Sequence, residues 1–145
     1  MRVLVQRCDR ACVKVDDKIV GQIGMGVMIL VGITHDDDSK KIDYLVDKLI
    51  NLRIFDDENG VMNKSLLDVS GSILSISQFT LYADTRKGRR PSYVEAMSGD
   101  KAKALYDEFN EKLRNTGIKV ETGIFGADMK VDFINDGPIT IMLEK

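Results

Sequence analysis

Seven consecutive apolar or small residues, Val27-Met-Ile-Leu-Val-Gly-Ile33, constrain this chain more than any other segment. A strand with one wet face alternates polar and apolar positions, whereas an unbroken run reads as a strand buried on both faces. The run is far shorter than the roughly 20 residues a membrane helix needs. Around it the pattern is β-rich. Met1 to Gln6 favours a strand, and Ala11 to Val15 alternates with period two. Asp16-Asp17-Lys18 is turn-like, and Ile19-Val20 resumes the apolar pattern. Gly21, Gly24 and Gly26 do not form a dinucleotide fingerprint, because no helical pattern follows them.

Two helices are expected. Asp36-Asp37-Asp38 precedes Ile42, Leu45, Val46 and Leu49, which share one helical face, and the acids sit where an N-terminus favours them. Asp100 to Asn115 carries Ala102, Leu105, Phe109 and Leu113 on one face, with Gly117 as a C-terminal stop. Asn59-Gly60 between Arg53-Ile-Phe55 and Val61-Met62 predicts a hairpin. Further strands are expected at Ser72 to Ser77, Ile118 to Glu121, Lys130 to Ile134 and Ile139 to Leu143. Residues 1–145 therefore read as a single α+β domain, mostly antiparallel sheet with two main helices.

A net charge of −2 gives no global signature for a polyanion, so any nucleic-acid contact must be local. Cys8 and Cys12 with the single His35 do not make a zinc set, and they read as reduced packing thiols. His35 reads as a surface histidine. The opening residues lack the pattern of a signal peptide, which leads to the expectation of a cytoplasmic protein without membrane association.

No Gly-x-Ser-x-Gly elbow, phosphate loop or His-Glu-x-x-His motif is present. Three segments carry possible chemistry. Ser77-Gln78-Phe79-Thr80-Leu81-Tyr82 ends a buried strand in polar side chains. It reads either as a hydroxyl-rich turn or as a place for a nucleophile and backbone oxyanion donors. Asn135-Asp136-Gly137-Pro138-Ile139-Thr140 reads as a tight turn, or as a rigid loop presenting carbonyls. Arg86-Lys87-Gly88-Arg89-Arg90-Pro91 is the densest basic cluster, either a solvated loop or a phosphate contact.

Taken together, these segments resemble the D-aminoacyl-tRNA deacylase family. The likeness begins at Leu4-Val-Gln-Arg7 and runs through Asn51-Leu-Arg-Ile-Phe55, Ser77-Gln-Phe-Thr-Leu81 and Arg90-Pro-Ser92. It continues with Ala104-Leu-Tyr106 and Thr122-Gly-x-Phe-x-Ala-Asp-Met129, and ends at Asn135-Asp-Gly-Pro-Ile-Thr140. The resemblance implies a homodimer of β-barrel-like subunits with active sites at the interface and no metal or organic cofactor. It implies that Ser77, Gln78, Phe79 and Thr80 line the site for the terminal adenosine and the ester. It also implies that Gly137 and Pro138, joined by a cis bond, reach into the partner's site to exclude L-amino acids, with Arg7 holding that loop.

An aminoacyl ester is already activated. The ribose 2′-hydroxyl beside it can assist the attacking water while backbone donors near Phe79 and Thr80 stabilise the oxyanion. Thr80 as a nucleophile is the mechanistic rival. Lys87, Arg89 and Arg90 are expected to touch tRNA phosphates, and DNA is not an expected partner. A non-catalytic RNA-binding module and a purely structural dimer stand as the alternative functions.

Overall fold

The computed structural model describes all residues 1–145. Its organising element is β1 (Arg2–Val15), which is paired along both edges. On one edge lie β2 (Lys18–Ile23) and β3 (Gly26–Gly32), end to end and antiparallel to it. On the other edge runs β8 (Lys130–Glu144), also antiparallel. The Asp16-Asp17 turn joins β1 to β2 with both residues at positive φ, 48° and 60°, the geometry of a two-residue hairpin turn.

Beyond β3 the sheet continues in parallel fashion. β6 (Ser72–Ser77) pairs with β3, and β7 (Val120–Thr122) pairs with β6. Each parallel step needs a long crossover. The first contains α1 (Ser39–Ile50) and the short hairpin of β4 (Phe55–Asp56) and β5 (Met62–Lys64). The second contains α2 (Gly99–Arg114). The sheet curls until β2 approaches β7: a Cβ added at Gly21 would lie 2.8 Å from the Thr122 carbonyl oxygen. The result is a nearly closed, barrel-like sheet with both helices outside it.

Two cores account for the apolar patterning. Val27, Ile29 and Val31 of β3 face the helices and pack with Ile42, Leu45 and Leu49 of α1 and Phe109 and Leu113 of α2. Met28, from the same strand, faces inward with Val13, Ile23, Leu74 and Ile76. That double burial is why the run from Val27 shows no alternation. The helical face of α2 is wider than expected. Ala102, Phe109 and Leu113 are buried, but so are Tyr106 and Asn110, while Leu105 is only partly covered.

Two expectations need correction. Met1–Gln6 and Ala11–Val15 are one strand, not two. β1 serves the helix-side core with Val3 and Val5 and the inner core with Cys8, Ala11 and Val13. It changes sides through register shifts around Arg7 and Cys8, which are buried consecutively. Likewise the two expected C-terminal strands are one strand, β8, and Asn135–Thr140 is no turn between them. The step from Gln6 to Cys8 on β1 is matched by the longer step from Thr140 back to Asn135 on β8. The surplus residues form a bulge, so Gly137-Pro138 leaves the sheet without reversing the chain.

The acidic run before α1 is fully employed. Asp38 caps the helix by accepting from the Lys40 and Lys41 amides. Asp36 pairs with Lys41, whose hydrogen bond holds the Asp36 carboxyl below its ordinary range. Asp37 is buried. Its carboxylate accepts from the Met1 ammonium at 2.5 Å and from the Thr34 amide at 2.8 Å. Both members of the Asp37–Met1 pair are only 1% exposed. Cys8 and Cys12 are free thiols, and burial pushes the Cys8 thiol up to about 11, which keeps it protonated and unreactive. No helix is long and apolar enough to cross a membrane.

Removing one partner of a buried ion pair strands the other charge. Asp37→Ala should therefore cost about 3–5 kcal/mol in urea unfolding. A loss below about 1 kcal/mol, the range of exposed pairs, would show that the Met1 ammonium reaches water without it.

Candidate active site

β6 delivers its last residue, Ser77, to the rim of a cavity of about 390 Å³. The chain then leaves the sheet. The Gln78 amide makes a last ladder bond to the Val31 carbonyl at 2.8 Å, and Phe79–Tyr82 wind into a 3-10 turn. The leading N–H groups of such a turn have no partner inside it. These are the backbone donors of Phe79 and Thr80, so the segment is a structured strand end with donors to spare. Ser77, Gln78 and Phe79 line the cavity. Thr80 lies just beyond it, and its hydroxyl oxygen accepts from Gln78 Nε2 at 2.5 Å.

The opposite walls come from elements to which no site role was assigned from sequence. Met97, Ser98, Gly99 and Ala102 at the start of α2 form one side, and Phe125, Gly126, Ala127 and Met129 form another. The second group lies within the Thr122–Met129 motif, whose composition alone does not say which way it faces. Its packing is tight: a Cβ at Gly123 would lie 2.4 Å from Met129 Sδ. Tyr106 ties α2 to β6 by donating its hydroxyl to the Ser75 carbonyl at 2.8 Å, two residues before Ser77. Its ring packs on Phe125, with centroids 5.7 Å apart.

No acid–base pair is assembled here. His35 is exposed and contacts the Val94 carbonyl through Nε2. Asp128 reaches the cavity rim but is solvated and paired with Lys130 at 3.1 Å. No carboxylate or imidazole hydrogen-bonds Thr80, whose only side-chain partner is the Gln78 amide. The cavity therefore offers apolar walls and backbone polarity rather than an activated side chain.

The Gly137-Pro138 bulge lies elsewhere on the chain. Its peptide bond is cis, Gly137 has φ +113°, and both residues are exposed. Asn135 and Thr140 close its neck. The Asn135 amide satisfies all its groups when its NH2 faces the carbonyls of Arg7 (3.0 Å) and Ile139 (3.2 Å). Its oxygen then faces Gln6 Nε2 and Thr140 Oγ1, both at 3.1 Å. Arg7 braces the bulge from beneath. Its Nη1 donates to the Ile54 carbonyl at 2.8 Å, and its Nε lies 2.8 Å from Asp136 Oδ2. The Asp136 contact is off the N–H axis, so it acts as an ion pair, and Nε itself has no hydrogen-bond acceptor. Nothing in the local pattern marked Gln6, Asn135 and Thr140 as a clamp, because their contact depends on the β1–β8 register.

The basic loop is exposed. Arg86 is spent on Asp84, whose carboxyl its hydrogen bonds hold at about 2. Lys87, Arg89 and Arg90 form no ion pair and face solvent.

Comparisons with known proteins agree with this architecture. The family model described as D-Tyr-tRNA(Tyr) deacylase matches residues 4–144. A protein of Limosilactobacillus reuteri (strain DSM 20016) named D-aminoacyl-tRNA deacylase is 57% identical over 145 residues, covering 100% of both chains. A solved structure described as c-Myc DNA Unwinding Element Binding Protein is 41% identical with a TM-score of 0.94, over 100% of this chain and 99% of that one. Another, described as a probable eukaryotic D-amino acid tRNA deacylase, shares the fold at 24% identity and a TM-score of 0.86, over 98% of this chain and 97% of that one. With a family match running nearly end to end and a relative 57% identical over the whole chain, this chain belongs to the D-Tyr-tRNA(Tyr) deacylase family.

Proposed function

We propose that the chain hydrolyses the ester of D-aminoacyl-tRNA in the cytoplasm, releasing free tRNA and the D-amino acid. The observation that carries this reading is the cavity at the end of β6. It is of small-ligand size and framed by Ser77, Gln78 and Phe79, in a chain belonging to this family. The neighbour named for DNA binding raises a second ligand. A net charge of −2 and a single short basic loop argue against a duplex-binding surface.

The chain's own Gly137-Pro138 lies away from its own cavity along the sheet. Ser77 pairs with Val31, Val31 with Val3, and Val3 with Leu143, whereas the bulge sits beside Arg7. Three strand spacings across and about four residues along place the two roughly 20 Å apart on the sheet. An exposed, braced loop far from its own site fits a homodimer in which Gly137 and Pro138 enter the partner's cavity, and Arg7 keeps them in position. β8 supports this reading. Its far edge has no strand partner, and Ile134 and Met142 stand exposed along it, a surface that isolated chains usually protect. Lys87, Arg89 and Arg90 are assigned to tRNA phosphates.

Discrimination then works by exclusion. An L-side chain leaves the α-carbon in one direction whatever its identity, so a single backbone wall rejects them all. D-tyrosyl-tRNA should be hydrolysed and L-tyrosyl-tRNA left intact. Glycyl-tRNA, with no side chain to exclude, should be cleaved as well. Cleavage of D-tyrosyl-tRNA with glycyl-tRNA untouched at high enzyme concentration would instead mean recognition of the D-side chain. Binding of these tRNAs without ester loss would reduce the protein to an RNA-binding module.

The water that attacks the ester is assisted by the substrate's 2′-hydroxyl, with the Phe79 and Thr80 backbone N–H groups receiving the oxyanion. Thr80→Ala should keep measurable turnover, because the side chain has no activating partner. A 2′-deoxy substrate should react about a hundredfold more slowly. A trapped aminoacyl ester on Thr80 would contradict this mechanism.

A further inference from the structure

Beside the cavity mouth, Phe79 and Tyr93 form an edge-to-face aromatic pair with ring centroids 5.0 Å apart. Both rings are open to solvent, Phe79 at 55% and Tyr93 at 40% exposure. Large aromatic side chains exposed together call for an occupant. Phe79 lines the cavity, so the pair begins where the site described above ends.

Tyr93 also stands at the base of the basic loop. Asp84 and Ser92 pair through two backbone hydrogen bonds of 2.8 and 2.9 Å, closing the loop that holds Lys87, Arg89 and Arg90. The segment after Tyr93 is pinned to the rest of the chain. The Thr34 hydroxyl donates to the Glu95 carbonyl at 2.6 Å, and the Met97 amide donates to the Ile33 carbonyl at 2.9 Å. Tyr93 thus directly follows the Ser92 closure of the loop that carries the unpaired cations, and its ring partner Phe79 lines the cavity. Cations for the backbone beside aromatic faces for the bases is the arrangement that binds single-stranded nucleic acid.

We infer that the Tyr93 ring, backed by Phe79, stacks on the nucleobase immediately 5′ of the terminal adenosine, making it a substrate-positioning residue for the unpaired acceptor end. This rests on the deacylase reading. It adds that the enzyme grips a nucleotide beyond the one in the cavity, and that the grip is independent of base identity because it uses a ring face.

The test uses two minimal substrates, D-tyrosyl-adenosine and the dinucleotide D-tyrosyl-CpA, with full-length protein. The wild type should show a KM about tenfold lower for the dinucleotide. Tyr93→Ala should abolish that preference while leaving kcat and the kinetics on D-tyrosyl-adenosine unchanged. Tyr93→Phe, which keeps the ring face, should retain it. Equal losses on both substrates, no loss on either, or a weakened dimer by sedimentation in Tyr93→Ala would each overturn the assignment. Wild-type protein that cleaves neither substrate nor D-tyrosyl-tRNA would instead defeat the deacylase reading itself.

Discussion

The ladder between β1 and β8 holds the rest of the structure in place. β1 runs the length of the sheet, giving Val3 and Val5 to the helix-side core and Cys8, Ala11 and Val13 to the inner one, with its regular pairing broken between Gln6 and Ala11. β8 must follow it across that break. It does so by carrying surplus residues between Asn135 and Thr140, and these are the ones that bear Gly137-Pro138. The bulge is therefore a consequence of register. Slipping the pairing by one residue would turn Val3 and Val5 out of the core, so the position of the Gly-Pro tip is secured by the burial of side chains far from it. Arg7 and Asn135 then fix its local orientation.

Features set by local chemistry were legible in the sequence. Asp38 caps α1, Gly117 adopts the positive φ expected after α2, and Asn59-Gly60 turns the β4–β5 hairpin. Each depends on a few adjacent residues. What could not be read was set by distant strands. Arg7 to Arg10 looked like a break because the outward-facing pair Asp9-Arg10 follows a charged Arg7, yet β1 runs straight through. Gly-Pro looked like a chain reversal because its turn chemistry is the same in a bulge. Tyr106 and Asn110 were missed on the buried face of α2 because their polar atoms suggested solvent, whereas they bond the Ser75 and Tyr106 carbonyls. The Ser77–Thr80 side of the cavity was visible, but its far wall, Phe125 to Met129, depends on how β7 closes the barrel.

The chemistry follows from what the cavity contains. Its walls are largely apolar, its polar lining is Ser77, Gln78 and Ser98 beside the strand-end backbone, and its one rim carboxylate is paired with a lysine. Such a site suits an ester that needs positioning and oxyanion stabilisation more than it needs a strong base. It also suits a filter based on shape, since backbone walls cannot move aside as flexible side chains do. The cavity rim at Ser77 and the Gly-Pro bulge lie on different parts of one chain, roughly 20 Å apart along the sheet, and in the proposed homodimer a second chain would bring them together.

Hybrid dimers test that claim most directly. Gly137→Ala would displace the tip so that it crowds the cavity it enters and blocks D-substrates too, while its own chain's cavity lining stays unchanged, because a Cβ there meets Ile139 Cγ1 at 2.8 Å and φ is +113°. Ala127→Trp would fill the cavity while leaving the wall intact. Each homodimer should be inactive on D-tyrosyl-tRNA. If the wall of one chain serves the cavity of the other, a hybrid of the two carries one complete site and should recover about half the wild-type rate. Hybrids that form but stay as inactive as either parent would contradict the shared site and place both functions within a single chain.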